Sequence, residues 1–404
     1  MTTEMKYIFL LLSVLVFYAN TQFVHNSGIR VLIRDAIVSK TLPGSNNVLK
    51  TVFTGIARVD RELMILTSFF YPAADGQNAT LLLHIVGFSG SFASAWALVT
   101  MEAWRSGNRW KIIAVPLPHC MEERKGVVAL DCKEANECSP MVFGVMAQLK
   151  TFALWGPLYC GLHLATSITA TTPTVQNIRI PRIIQLAIPI AYAIGYVIPS
   201  VLMVLPAPMV ISTDQKQIFI AIWQAWAISV GIITTLAFYL LSPWIKDDLP
   251  SDHRGVYAFA FVTATVPHLI SWTISLASVV APALFHDQYV QALCPSKVFE
   301  LPSPWDSVNF PVRDVSVGAH LFLRWDCLIG STSILVWAVT LYVKACRVGG
   351  EPVNWGVLGV KIALLTILTG PIGSAVALMW ERDNLICYGT RGVMGQEKGA
   401  KKTK

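Results

Sequence analysis

The chain has 404 residues, 54% of them hydrophobic and 14% charged, with a formal net charge of +7. Soluble domains carry charge on about a quarter of their residues, so this deficit, with a mean hydropathy of +0.55, excludes an ordinary soluble globular domain. It also excludes a nucleic-acid binder, which would show basic stripes on a polar surface; here part of the positive charge sits in the tail, at Lys398, Lys401, Lys402 and Lys404.

Lipid offers a backbone no hydrogen-bond partner, so runs of about 20 apolar residues read as transmembrane helices. Eight such runs occur, at about 7–24, 80–101, 141–167, 183–206, 217–242, 256–284, 318–345 and 356–380. The expected fold class is therefore all-α, a polytopic helical bundle of about eight spans. The first run reads either as a cleaved signal peptide, leaving seven spans, or, since it lacks a small-x-small cleavage site, as a retained helix. Four regions follow: 1–25 as a first helix or signal anchor, 26–79 as a loop with an interfacial amphipathic helix, 80–383 as the bundle, and 384–404 as a basic tail. Within the second region, 51–72 is too charged to cross and fits an interfacial or re-entrant helix capping the bundle. Asn78-Ala79-Thr80 is a glycosylation sequon, placed outside if the C-terminus is cytosolic.

Cys120, Cys132 and Cys138 share one loop and could form a disulfide if that loop is lumenal. Cys160, Cys327 and Cys346 fall in apolar runs, where a free buried thiol is expected. The absence of CxxC pairs argues against structural zinc. The closing Lys401-Lys402-Thr403-Lys404 matches a dilysine signal of the endoplasmic reticulum, readable only on a cytosolic tail. The count of basic residues in Arg105–Lys133 agrees with that orientation. No repeat relates the two halves, which weighs against a secondary transporter.

Ionisable residues inside spans are costly and mark function. Glu102 closes the second span and Asp326 opens the seventh. Glu381 ends the eighth, after a Gly370-Pro371 break, and Asp60 and Asp75 lie near the bundle. Tyr159 and His163 share a face of the third run. Tyr192 and Tyr196 do so in the fourth, Trp223, Gln224 and Trp226 mark the fifth, and His268 and Trp272 the sixth. An apolar pocket walled by π-faces stabilises a carbocation, and a desolvated carboxylic acid can stay protonated and act as a general acid. Protonating an epoxide or olefin of a polyene would use this equipment. Each residue has a plainer alternative. Aromatics anchor interfaces, histidines bond between helices, and Glu102 or Asp326 could belong to a buried ion pair. Arg382 and Asp383 are read as solvated, salt-bridged caps. The Asp247-Asp248-Leu249-Pro250-Ser251-Asp252 run is read as a connector, and no GxSxG, HExxH or phosphate-binding loop stands in a suitable context.

The order DRELMILTSFFYPAADG, MEAWRSGN, PLYCGLHLATS, GYVIPSVLMVLPAP, IAIWQ, FLRWD and GPIGSAVALMWERD, spanning about 58–383, resembles the fungal membrane-bound terpene cyclases of the ascofuranone type. The resemblance implies metal-independent, cofactor-free, acid-initiated ring closure of a prenyl chain, typically a terminal epoxide on a farnesylated aromatic or polyketide. Carried onto this chain, it makes Asp75, Glu102, Asp326 and Glu381 the catalytic acids to test. Tyr159, His163, His268, Trp223 and Trp325 become the substrate-pocket or relay residues. The expected partners are the bilayer and a prenylated small molecule, with no nucleic acid. A metabolite transporter, with a water path through both faces, and a non-catalytic scaffold, with its acids paired off and no cavity, stand as the alternatives.

Overall fold

The computed structural model describes residues 2–108, 140–245, 253–301 and 310–400, with side chains described between residues 4 and 387 of these stretches. The cysteines of the 110–140 loop, the 247–252 connector and the dilysine tail lie outside the described residues. Among those described, helices are the regular structure, with no strand beyond one isolated bridge between Thr41 and Val48.

Six helices are long and apolar enough to cross a membrane, or seven if a bent pair is taken as one span. The first is α1 (Thr2–Asn26), followed by two shorter helices, α2 (Ile29–Ser39) and α3 (Ala57–Ala74). Where the sequence suggested one interfacial amphipathic helix in a loop, the chain forms these two helices. Asp60 fixes the start of α3 by accepting from the backbone N–H groups of Thr54 at 2.7 Å and Phe53 at 3.1 Å, which hold its carboxyl below the usual range.

α4 (Ala79–Trp104) starts where the Asn78 side chain accepts from Leu81 N–H at 2.9 Å, filling one of the orphan donors of a helix N-terminus. It is the central post, with nearly every residue beyond Ser89 buried. α12 (Arg254–Val280) runs antiparallel along it, tied by Ser271 to the Leu83 carbonyl and by Ser94 to the Ala260 carbonyl. α15 (Val315–Val348) runs parallel to it.

The expected third span, 141–167, does not cross. It is a hairpin of α5 (Pro140–Leu149) and α6 (Phe152–Thr166), and Phe143 packs back on Trp155 and Tyr159 at 5.6 and 5.5 Å. Its tip is Lys150-Thr151. Extended Thr151 stops one helix and caps the next by accepting from Leu154 N–H. The tip reaches only midway along α4, where Phe152 meets Phe92 at 5.3 Å. α1 packs antiparallel on α6, with Leu10 and the Lys6 carbonyl close over Gly161 and Asn20 bonded to Thr151.

After α7 (Ile168–Thr171), the next crossing joins α8 (Arg182–Tyr192) to α9 (Ile198–Val204) through a π-helical turn at Ala193–Val197. α10 (Thr213–Gln224) and α11 (Trp226–Leu241) form the bent pair, at 61°. Two short helices, α13 (Asp287–Ala292) and α14 (Pro295–Val298), sit beyond α12.

The last apolar run also folds back. α16 (Trp355–Ala400) turns at Gly370, whose φ of 75° and ψ of 168° suit glycine alone, with Pro371 following. Lys361 pairs with Glu381, and Thr366 bonds Ser374 at 3.1 Å, so the two arms lie side by side. Hydropathy counts length, not direction, so both hairpins read as spans in the sequence. Among the described residues, α1, α4, α8–α9, the bent pair α10–α11, α12 and α15 run the length of the bundle, while α16, apolar enough to cross, is folded on itself. Both hairpins enter from the face where α4 ends, here the tail face; α2 and α3 cover the opposite, cap face.

If this is so, cysteines introduced at Glu351 and Asn384 in a cysteine-free background will react with an impermeant maleimide from one face, and a cysteine at Gln288 from the other. Labelling of 351 and 384 from opposite faces would show a straight crossing instead. Gly370→Ala should cost about 1–3 kcal/mol, read as a lower thermal midpoint in detergent, since its Cβ would also stand 3.0 Å from His268 Nδ1.

Candidate active site

Between the cap and the tip of the α5–α6 hairpin lies a cavity of about 530 Å³. Its walls come from α1 (Phe23), α3 (Phe69, Phe70), α4 (Phe88, Phe92), the π-helical turn (Tyr196), α10 (Trp223) and α15 (Phe322). The rings meet mainly edge to face: Phe70 on Trp223 at 5.1 Å, Phe69 on Phe322 at 5.9 Å. That geometry locks aromatic packing. Trp223 is fixed further by donating to Ser200 Oγ at 2.9 Å.

One carboxyl faces this space among the described residues. Asp326, 7% exposed, projects from α15 to the hairpin tip and accepts from Ala153 N–H at 2.6 Å. Phe152 N–H and the Thr151 hydroxyl also donate to it. These are first-turn groups of α6, whose unpaired N–H groups and dipole receive negative charge. No described cation lies within ion-pairing distance of Asp326. Gln148, on the other side of the tip, is held by Trp226 Nε1 at 3.0 Å and by Gln224 at 2.5 Å.

Glu102 sits in a different environment. It is fully buried about 16 Å further down the bundle, judged from the 11 residues of α15 that separate Asp326 from Trp337. Arg105 Nε stands 2.7 Å and Arg382 Nη1 2.8 Å from Glu102 Oε1, while the Thr169 hydroxyl donates to Oε2 at 2.8 Å. His163 completes the set. Trp337 Nε1–H donates to its Nδ1 at 3.2 Å, which places the imidazole proton on Nε2, 3.2 Å from Glu102 Oε2. Arg105 also binds Asp383 at 2.8 Å, and Asp383 accepts from the Tyr257 hydroxyl at 2.8 Å with His253 3.3 Å away. Arg382 and Asp383 are salt-bridged as the sequence suggested, but at 0% and 3% exposure they are buried rather than solvated. Their carboxylate and guanidinium partners, Glu102 and Arg105, lie some 280 positions earlier, beyond the reach of any local pattern.

The structure brings Asp326 and Trp223 together at the cavity, and Glu102, Tyr159 and His163 in or beside the ionic cluster. The Tyr159 hydroxyl is buried without a partner among the described residues. His268 is elsewhere, against the Ile367 carbonyl at the turn of the second hairpin. Glu381 is half-buried in its pair with Lys361, and Trp325 is half-buried outside the cavity lining. Asp75 caps α3 and accepts from Gln77 N–H, with burial pushing its carboxyl up. Asn78 spends its Nδ2 on Ser316. Missed in the sequence were the cavity phenylalanines, although Phe88, Phe92 and Trp96 recur every four residues of α4.

The CtvD domain family model matches residues 5–121 and 134–387. A terpene cyclase of Acremonium egyptiacum, ascI, is 29% identical over 342 residues, covering 83% of this chain and 79% of its own. The terpene cyclase ctvD of Aspergillus terreus is 27% identical over 392 residues, with 93% and 98% covered. The terpene cyclase atmA of Aspergillus flavus is 24% identical over 391 residues, with 95% and 98% covered. No solved structure matches.

Removing one member of a buried ion pair strands the other and costs about 3–5 kcal/mol. Arg382→Met should therefore lower the thermal midpoint sharply in detergent, and Glu102→Gln added to it should restore part of the loss. A single variant that melts like the parent would mean the cluster carries no weight.

Proposed function

The chain belongs to the CtvD domain family, and we propose that its chemistry takes place in the aromatic cavity at Asp326. It is an enzyme, an integral-membrane terpene cyclase of fungal meroterpenoid biosynthesis. The observation that supports the site is a carboxyl without an ion-pair partner, the one such group among the described residues to face an aromatic-walled cavity. In our reading the substrate is a prenyl chain ending in an epoxide, carried on an aromatic or polyketide head. Asp326 carries a proton because no cation stabilises its ionised form, and it hands that proton to the epoxide oxygen. The C–O bond opens as the neighbouring double bond attacks. The α6 amides then receive the carboxylate left behind.

Each ring closure moves positive charge along the chain, past the faces of Phe70, Phe92, Tyr196 and Trp223, where cation–π attraction lowers its energy. The last cation loses a proton, and Asp326, the one carboxylate lining the cavity among the described residues, is the base we assign. The product is an isomer of the substrate. Glu102, saturated by two guanidiniums, is a poor proton donor, and we assign it to holding the fold. His163, Tyr159, Asp75 and Glu381 are likewise placed outside the chemistry. We place the protein in the endoplasmic reticulum with the tail face cytosolic.

The transporter reading predicts a path through both faces. The cavity ends instead on the hairpin tip, and the Glu102 cluster fills the bundle below it. A scaffold with all its acids paired fits Glu102 and Asp383 but not Asp326.

In a fungal host fed an epoxyfarnesyl aromatic, wild type should give a product of unchanged mass and altered retention. Asp326→Asn should cut conversion about 100-fold or more while the purified protein keeps its thermal midpoint. Glu102→Gln should lose activity only in step with lost stability. Full turnover by Asp326→Asn would remove Asp326 from the mechanism.

A further inference from the structure

The cavity is aromatic along its walls and cationic at its mouth. Arg30 and Arg34 of α2 and Arg61 of α3 line it on the cap side, while Lys150, at the hairpin tip, lines its floor. Their register is that of the cavity wall: Arg30 and Arg34 alternate with Ile33 and Ile37, and Arg61 precedes Ile65 by four, all of them lining residues. None of the four cations makes an ion pair or hydrogen bond with another described residue. The acidic neighbours Asp35 and Glu62 are exposed and outside the lining. Lys50, also on the cap face, pairs with Asp214 at 2.9 Å. Arg30, Arg34 and Arg61 are exposed at the rim and at the same time share the cavity's wall with its isoleucines.

We propose that the substrate of this cyclase bears an anionic head, a carboxylate or an ionised acidic hydroxyl, which the three cap arginines, Arg30, Arg34 and Arg61, hold at the mouth while the prenyl tail reaches toward Asp326. The proposal rests on the cyclase reading for its substrate but not for its test. Like charges converging on a low-dielectric opening focus a positive potential there, and guanidiniums match planar anions with paired N–H bonds. Holding the head fixes the direction in which the chain enters, so the far end of the tail meets the acid. An anionic lipid headgroup offers the same chemistry, and the experiment separates the two.

Full-length protein in a neutral maltoside detergent would be titrated calorimetrically with farnesoic acid and with methyl farnesoate, which differ only in the charge of the head. The acid should bind about tenfold more tightly at low salt, an advantage that rising salt erodes. Arg34→Gln and Arg61→Gln should each reduce that advantage and leave the ester's affinity unchanged, which also reports that the variants are folded. Equal binding of acid and ester to wild type, or equal weakening of both by the variants, overturns the proposal. So does an advantage that persists in phosphatidylcholine nanodiscs but vanishes in phosphatidylserine ones, since lipid would then own the site. Because no turnover is measured, failure here leaves the Asp326→Asn result to stand or fall alone.

Discussion

Burying a carboxylate at the end of a membrane helix obliges the fold to surround it with charge and hydrogen bonds, and Glu102 is where this chain meets that obligation. Its partners come from its own helix end and from both hairpins. Arg105 follows the same helix, His163 and Thr169 belong to the first hairpin and its exit, and Arg382 lies on the returning arm of the second. A helix that crosses the bilayer is held by two interfaces; a hairpin that turns back halfway is held by one. The ionic cluster supplies the missing restraint for both hairpins at once. The first hairpin's tip carries the amides that fix Asp326, so the position of the candidate acid depends on charges well below it in the bundle.

Two carboxyls of similar burial are thus set to opposite ends. Glu102 has two guanidiniums, a hydroxyl and an imidazole, and nothing left to offer a substrate. Asp326 has backbone N–H groups and the Thr151 hydroxyl on one side and aromatic rings on the other. Hydrogen bonds without a counter-charge hold a carboxyl in place yet leave its proton to be exchanged, which is what an acid catalyst in a dry cavity needs.

The sequence made the helical membrane class plain, because an apolar run is a direct consequence of the solvent. It also marked Asp326, since an acid inside such a run is costly enough to stand out. It could not show that the runs at 141–167 and 356–380 turn back, because length and hydropathy are the same for a span and for a hairpin of two half-spans. The local signals were there: Lys150-Thr151 in one, Gly370-Pro371 in the other. Whether such a break bends a span, as at Ala225, or reverses it depends on the packing partners, here α1 and Phe143 for the first hairpin and α12 with Lys361–Glu381 for the second. The fate of Glu102 was illegible for a related reason. Its neutralising charges, Arg382 above all, stand far off in sequence, and a helix-terminal Glu-Arg-Asp triplet looks the same whether water or another helix lies beside it.

The closed end of the cavity bears on chemistry as much as on topology. A cation generated in water is captured by it, so a cyclase must exclude solvent along the whole path of the migrating charge. A through-path of the kind a carrier needs would defeat that. Here the hairpin tip forms a floor of helix ends rather than a gate. It is pinned by Gln148 to Trp226 and Gln224, by Thr151 to Asn20, and by Ala153 to Asp326 itself. Opening it toward the tail face would break the bonds that position the acid. Access from that face would therefore disturb the Asp326 carboxyl, and in the proposed reading the substrate arrives from the cap face, under α2 and α3.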